Sequence, residues 1–297
     1  MSEAGEPSRI VDVSDDVSDN GVFETVRDGY DAVYRVLGQS QTFARIWRAN
    51  AYGADFPEEF AHISFLTLSE AGRLLGLLGI WRGSVLVDVA CGAGGPGLWA
   101  AQQSGALLVG VDPADSGLAA ARDRARHVGM ESRSRFVRGT FEHTGLVKAS
   151  ADAVMTVDAF QYAPDKRAAL TELRRVLRPA GRIGIVCFEV DPSRVTGVPV
   201  LGVDPIADYR PLFEECGFAA EVYEETPGWQ ERVYGAFGAL VEARAALTAE
   251  MGERAAAGVL AEATLTVDLQ PYRRRVLAVA RRLELGLDCP GSGRGCG

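Results

Sequence analysis

Between Val85 and Val190 the chain repeatedly alternates short apolar runs with amphipathic stretches, and no other feature limits its fold as strongly. "VLVDVA", "LLVGVD", "SRFVRG", "ADAVMTVDAF" and "RIGIVCFEV" are strand-like, and the segments between them carry helical spacing. The clearest of these helices, "DKRAALTELRRVLRPAG", is stopped by Pro179 and Gly181. Alternation of this kind predicts a parallel sheet covered by helices on both faces.

Around that core the character is different. "FETVRDGYDAVYRVL" spaces Phe23, Val26, Tyr30, Val33 and Leu37 at helical intervals, and two more helices are expected before Leu78, interrupted near Gly53 and Pro57. Helical sequence returns from Trp229 to Leu269, while "RRRVLAVARRL" suits either a last strand or a helix. The first twenty residues and the Gly-rich end have little to bury and are expected to be disordered.

A formal net charge of -9 argues against a broad nucleic-acid surface. The five cysteines form no CxxC pair, so neither a disulfide framework nor a metal site is expected. No apolar run is long enough to span a bilayer, and a cytoplasmic protein is expected.

Where the first strand hands over to its helix, "VDVACGAGGPGLWAA" places Gly92, Gly94, Gly95 and Gly97 in a short turn. Such glycines weaken a helix, so their presence suggests close approach of a ligand to the backbone. Gly92, Gly94 and Gly97 spell G-x-G-x-x-G, with Asp112 downstream, which suits a dinucleotide. Asp88 lies in the strand just before the turn, and a second acid there would repel a pyrophosphate. A cationic ligand such as S-adenosylmethionine fits an acid-lined pocket better, with Asp112 holding the ribose.

These segments resemble the class I S-adenosylmethionine-dependent methyltransferases of small-molecule type. "VLVDVACGAGGPG" resembles the first motif of that family, with Ala90 where glycine is usual; an extended backbone would tolerate the change. "LVGVDPA", "VRGTFEHTGL" and "ADAVMTVDAFQYAPDKRAAL" resemble the next three motifs. The resemblance implies a Rossmann-like, seven-stranded doubly wound α/β sheet, its last strand inserted antiparallel, with an N-terminal and a late helical cap. It implies cofactor contacts from Asp88, Ala90, Cys91, Gly92 and Gly94, from Asp112 and Pro113, from Thr140 and Phe141, and from Asp158 and Gln161. The expected organisation is a tail (1–20), an N-terminal cap (21–78), the cofactor-binding core (79–226), a substrate cap (227–270), a final strand (271–286) and a flexible tail (287–297).

Methyl transfer from a sulfonium needs alignment, and a base only where the acceptor holds its proton tightly. His62 in the N-terminal cap is the candidate base or hydrogen-bond partner; His127 and His143 are expected to face solvent. Phe160, Gln161 and Tyr162 stand where related O-methyltransferases often carry histidine, which leaves Asp158 as the pocket acid and Tyr162 as the acceptor contact. The expected acceptor is a small hydrophobic metabolite, methylated on oxygen or nitrogen. The alternatives are C-methylation of an isoprenoid or other alkene, with Glu189 among the groups that would stabilise a cation, and a nicotinamide-dependent oxidoreductase. A non-catalytic module is disfavoured by the intact first motif. A homodimer is compatible with this reading.

Overall fold

Successive side chains of β1 (Val85–Val89) point to opposite faces of the sheet: Val85, Val87 and Val89 join one apolar cluster, and Leu86 joins the other. All five are buried, as a strand covered on both sides requires. The computed structural model describes residues 31, 33–35, 40–195 and 205–284. The expected tails, and Phe23, Val26, Tyr30 and Leu37 of the first helical pattern, lie outside the described residues.

The order of elements after β1 follows the alternation read from the sequence. It runs α3 (Gly95–Ser104), β2 (Leu107–Asp112), α4 (Asp115–His127), β3 (Ser134–Arg138), β4 (Ala151–Val157), α5 (Lys166–Val176) and β5 (Leu177–Val190). Among the described residues, α1 (Gln41–Trp47) and α2 (Leu68–Leu78) precede them. After β5 come α6 (Arg210–Glu215), β6 (Phe218–Glu225), α7 (Trp229–Glu242), α8 (Arg244–Met251), α9 (Glu253–Leu269) and β7 (Arg273–Arg282). The sheet has seven strands in the order β3-β2-β1-β4-β5-β7-β6. The first five are parallel, and β7 runs antiparallel to both β5 and β6. That insertion departs from the 3-2-1-4-5-6 order of dinucleotide-binding domains.

Two segments resolve what local pattern left open. Arg273–Arg282 is a strand because it lies between β5 and β6, where its buried run Arg275–Ala280 meets neighbours on both edges. The "LRPAG" segment, expected as the end of a helix, opens β5 instead. Leu177 pairs with Ala151 and Arg182 with Ala153, leaving a bulge between them.

The strand order reverses at β1, which pairs with β2 on one edge and β4 on the other. A crevice opens at the carboxyl ends of the strands beside such a switch point. The helices at either end of the chain close over it. Glu250 of α8 accepts the Thr42 amide at 3.0 Å and the hydroxyls of Ser40 and Thr42 at 2.6 Å each, tying α8 to the start of α1.

Candidate active site

The turn after β1 is shaped by groups that leave no room for side chains. Gly92 has φ +50°, and a Cβ there would overlap the Tyr34 hydroxyl. A Cβ on Gly97 would overlap the Asp88 carboxylate, which packs against the start of α3. Gly94, at φ +74°, sits 3.1 Å from the Ala121 methyl when given a Cβ; its glycine serves the turn and the packing against α4. Ala90 has φ +60°, so the extended backbone expected there is corrected: the alanine occupies the left-handed conformation that the family's glycine adopts freely.

Asp112 ends β2 with its carboxylate held from two sides. Oδ2 accepts the Gly92 amide at 2.7 Å and Oδ1 the Ala114 amide at 2.9 Å. Each oxygen keeps a further lone pair, enough to receive a pair of hydroxyl groups. Burial pushes the Asp112 pKa up to about 6, against the pull of those two amides. Asp88 is also buried, and desolvation, helped by the Asp112 charge, raises it to about 8. The expectation of two charged carboxylates is therefore revised: at neutral pH the cleft by itself carries mainly the Asp112 charge, and an arriving cation would draw the proton from Asp88.

Three adjoining cavities fan out from this point. The first, ≈ 120 Å³, is lined by Ala90, Asp112 and Pro113 on one side and by Thr140, Phe141, Asp158 and Tyr162 on the other. Thr140 Oγ1 accepts the His143 amide at 3.1 Å, so its own proton is free to be donated elsewhere. The second, ≈ 300 Å³, lies over the glycine turn and is bordered by Asp88, Cys91, His62 and Arg124. The third, ≈ 70 Å³, is walled by Trp47, Phe65, Phe188 and Phe237 and includes Gln161, Tyr162 and Glu262. Its rings are in mutual contact, Trp47 with Phe65 at 5.1 Å and Phe65 with Phe237 at 5.6 Å between centroids. An adenosyl ligand with an amino-acid end fits the first two: bare backbone at Gly92, paired acceptors on Asp112, and an acid beneath the turn.

Asp158 borders the first and third cavities, but its carboxylate is already engaged. Arg275, fully buried on β7, grips it with Nε at 2.7 Å and Nη2 at 3.0 Å, and the Phe65 amide donates to it at 2.7 Å. The same guanidinium reaches Glu70 at 3.0 Å, and Glu70 in turn pairs with Arg232 of α7. A carboxylate so compensated is a strut, which corrects its reading as the reactive pocket acid.

His62 is packed between Tyr52 and Phe56, with ring centroids 4.4 and 4.6 Å away. Desolvation, reinforced by the Arg124 charge, lowers its pKa to about 3. Its Nδ1 accepts the Ser64 amide at 3.3 Å. With Nδ1 occupied, the neutral ring offers a donor at Nε2, so of the two expected roles the hydrogen-bond partner fits this geometry better than the base. Glu189 is likewise removed from the acceptor wall, since it is held by Arg274 at 2.7 Å and by the Tyr223 hydroxyl.

Three site groups escaped the sequence reading as functional residues. Tyr34 stands over Gly92 because Asp31, one turn earlier, accepts the Ser116 amide at 2.9 Å and its hydroxyl at 2.6 Å. Glu262 of α9 receives the Tyr162 hydroxyl at 3.3 Å. Arg124 comes from the basic stretch "ARDRARH", where nothing local sets it apart from its neighbours.

Comparison with known proteins bears on the family and the fold. The methyltransferase domain family matches residues 87–185. The 27-O-demethylrifamycin SV methyltransferase of Amycolatopsis mediterranei is 26% identical over 217 residues, covering 68% of this chain and 78% of its own. Methyltransferase GfsG of Streptomyces halstedii is 30% identical over 194 residues, covering 59% of this chain and 70% of its own. Among solved structures, the (4+2)-cyclase SpnF superposes with a TM-score of 0.69 at 20% identity, covering 88% of this chain and 97% of that one. That last likeness concerns the fold alone.

Proposed function

The chain belongs to the class I S-adenosylmethionine-dependent methyltransferases, and from that premise we propose that it methylates oxygen or nitrogen on a small hydrophobic metabolite of natural-product type. The observation that carries the cofactor half is Asp112, pinned by the Gly92 and Ala114 amides with lone pairs left toward the first cavity. The acceptor half rests on the aromatic wall of the third cavity and on the printed activity of the rifamycin relative.

In this reading Asp112 holds the ribose, Pro113, Thr140 and Phe141 surround the adenine, and Ala90, Cys91 and Gly92 pass close to the amino-acid portion. Bound there, S-adenosylmethionine supplies a methyl group on a cationic sulfur that departs as a neutral thioether, so no acid has to assist. The residues around it exclude water and fix alignment, an effect worth up to roughly 7–11 kcal/mol in well-oriented systems. Tyr162 borders both the first and the third cavity, which suits it to contact the acceptor. Glu262 behind it is placed to take a proton that passes through the Tyr162 hydroxyl. Gln161 donates to the Asp158 carbonyl at 2.8 Å and holds that turn in shape.

C-methylation of an alkene is the weaker reading. Two of the carboxylates that could stabilise its carbocation, Asp158 and Glu189, are neutralised by arginine, which leaves Glu262 as the other acid at the third cavity. No described helix is long and apolar enough to cross a membrane.

The reading is tested by incubating the protein with S-adenosylmethionine and fractionated metabolite extracts. A mass gain of about 14 daltons on one acceptor, corresponding to one added CH₂ unit, is the expected result. Consumption of the donor with no acceptor of any class gaining mass would remove the proposal.

A further inference from the structure

Arg124 projects from the third turn of α4 into the second cavity, and its Nη1 donates to the Ala93 carbonyl at 2.8 Å. Among the described residues it makes no ion pair, whereas Arg232 and Arg275, the arginines that join the caps to the sheet, each have a carboxylate within reach. Desolvation lowers its pKa, with the Tyr34 and Tyr52 hydroxyls opposing the shift, which marks a cation held away from water. A guanidinium kept in a half-enclosed cavity without a counter-charge is costly unless an anion arrives.

A second donor faces the same cavity. The His62 ring takes its hydrogen bond at Nδ1 from the Ser64 amide, so its proton lies on Nε2. That Nε2 is buried and has no partner among the described residues. Asp88, also bordering the cavity, supplies the complementary acid. Among the described residues, the cavity is thus bordered by a guanidinium with no ion pair, an imidazole nitrogen with no partner, and a carboxyl. That is the pattern expected for a zwitterion, whose ammonium and carboxylate need opposite partners.

We propose that Arg124, assisted by His62 Nε2, binds the α-carboxylate of the amino-acid end of S-adenosylmethionine, while Asp88 faces its ammonium. Arginine suits this task because its planar fork matches a carboxylate with two parallel hydrogen bonds. The proposal rests on the donor occupying the cleft between Gly92 and Asp112, and it explains two features that the reaction itself leaves unused. His62 becomes a binding donor, and the basic helix gains one arginine with a purpose distinct from that of its exposed neighbours.

The test compares S-adenosylhomocysteine with its decarboxylated analogue by calorimetry. The wild-type protein is expected to prefer the carboxylate-bearing ligand roughly ten- to a hundredfold. In Arg124→Gln that preference should collapse to within about threefold, with the decarboxylated analogue bound as before. Arg124→Lys should restore part of the preference, since charge returns without the fork. His62→Phe should reduce it by a smaller factor. If Arg124→Gln weakens both ligands alike, or keeps the wild-type preference, the assignment is overturned. Should the glutamine variant fail to fold, equal binding of the two ligands by the wild type overturns it without any substitution. Wild-type protein that binds neither ligand would instead remove the donor cleft itself.

Discussion

Asp112 Oδ2 accepts the backbone amide of Gly92 at 2.7 Å, a bond that spans 20 positions and ties the end of β2 to the turn after β1. Through it, one carboxylate both shapes the glycine turn and lines the cavity that turn encloses. Much of the expected chemistry passes through this link, and it gives the most direct prediction. In Asp112→Ala the affinity for S-adenosylhomocysteine should fall roughly ten- to a hundredfold, the loss typical of a charged hydrogen-bond partner. Calorimetry measures it, and unchanged affinity would mean that the ribose is held elsewhere.

Charge on the cleft should depend on pH and on the ligand. Burial raises Asp112 to about 6 and, with the Asp112 charge beside it, Asp88 to about 8, and a cation favours their ionised forms. S-adenosylmethionine carries the sulfonium that S-adenosylhomocysteine lacks, while the two share the same amino-acid end. The ratio of their affinities should therefore shift toward S-adenosylmethionine as pH rises from about 5 to 8. A ratio flat across that range would show that neither carboxylate senses the sulfur.

Stability should respond to the same buried acid with a definite sign. The folded pKa of Asp88 lies above its ordinary value, so the native state retains a proton that the unfolded chain releases. Its contribution is fully present below about pH 4 and is lost as pH climbs to about 8. In Asp88→Asn that decline should vanish. Urea unfolding of both proteins across the range should show a difference that changes with pH between those limits and is level outside them.

Gly97→Ala should be destabilising although Ala favours helices. The new methyl would meet the Asp88 carboxylate and force it away from the start of α3. Overpacking of this kind costs typically about 1–3 kcal/mol. Chemical denaturation would register it, and a gain in stability would mean that Asp88 has room to move.

Breaking the strut at Asp158 should cost more. Arg275→Met leaves Asp158 and Glu70 as buried carboxylates with fewer partners, for which about 3–5 kcal/mol is the usual penalty. Adding Asp158→Asn to that variant should recover part of the loss, because the two residues act as one pair. Strict additivity of the two losses would show that the bidentate contact contributes little.

Legibility in the sequence followed distance along the chain. The strand alternation, the glycine turn, Asp88 and Asp112 were readable because each belongs to a short segment with its own periodicity or spacing. Residues Arg273–Leu283 were ambiguous because a short apolar run looks alike in a strand and in a helix, and only its seat between β5 and β6 separates them. Asp158 looked like a free pocket acid since nothing local reveals that Arg275, 117 positions later, would neutralise it. His62 looked like a base for a similar reason. Its pKa is set by desolvation and by the Arg124 charge, both imposed by chains that converge from elsewhere.

By itself, then, the amino-acid order determined the layered α/β architecture, the place of the turn and the acids beside it, because hydrophobic periodicity and backbone sterics act over a few residues. Only the tertiary structure decided which of those acids stays charged, which is spent on a buried arginine, and that Arg124 borders a cavity with no ion pair among the described residues. Charge in a protein interior is governed by the partners and the water that packing brings or excludes, and no local pattern encodes either.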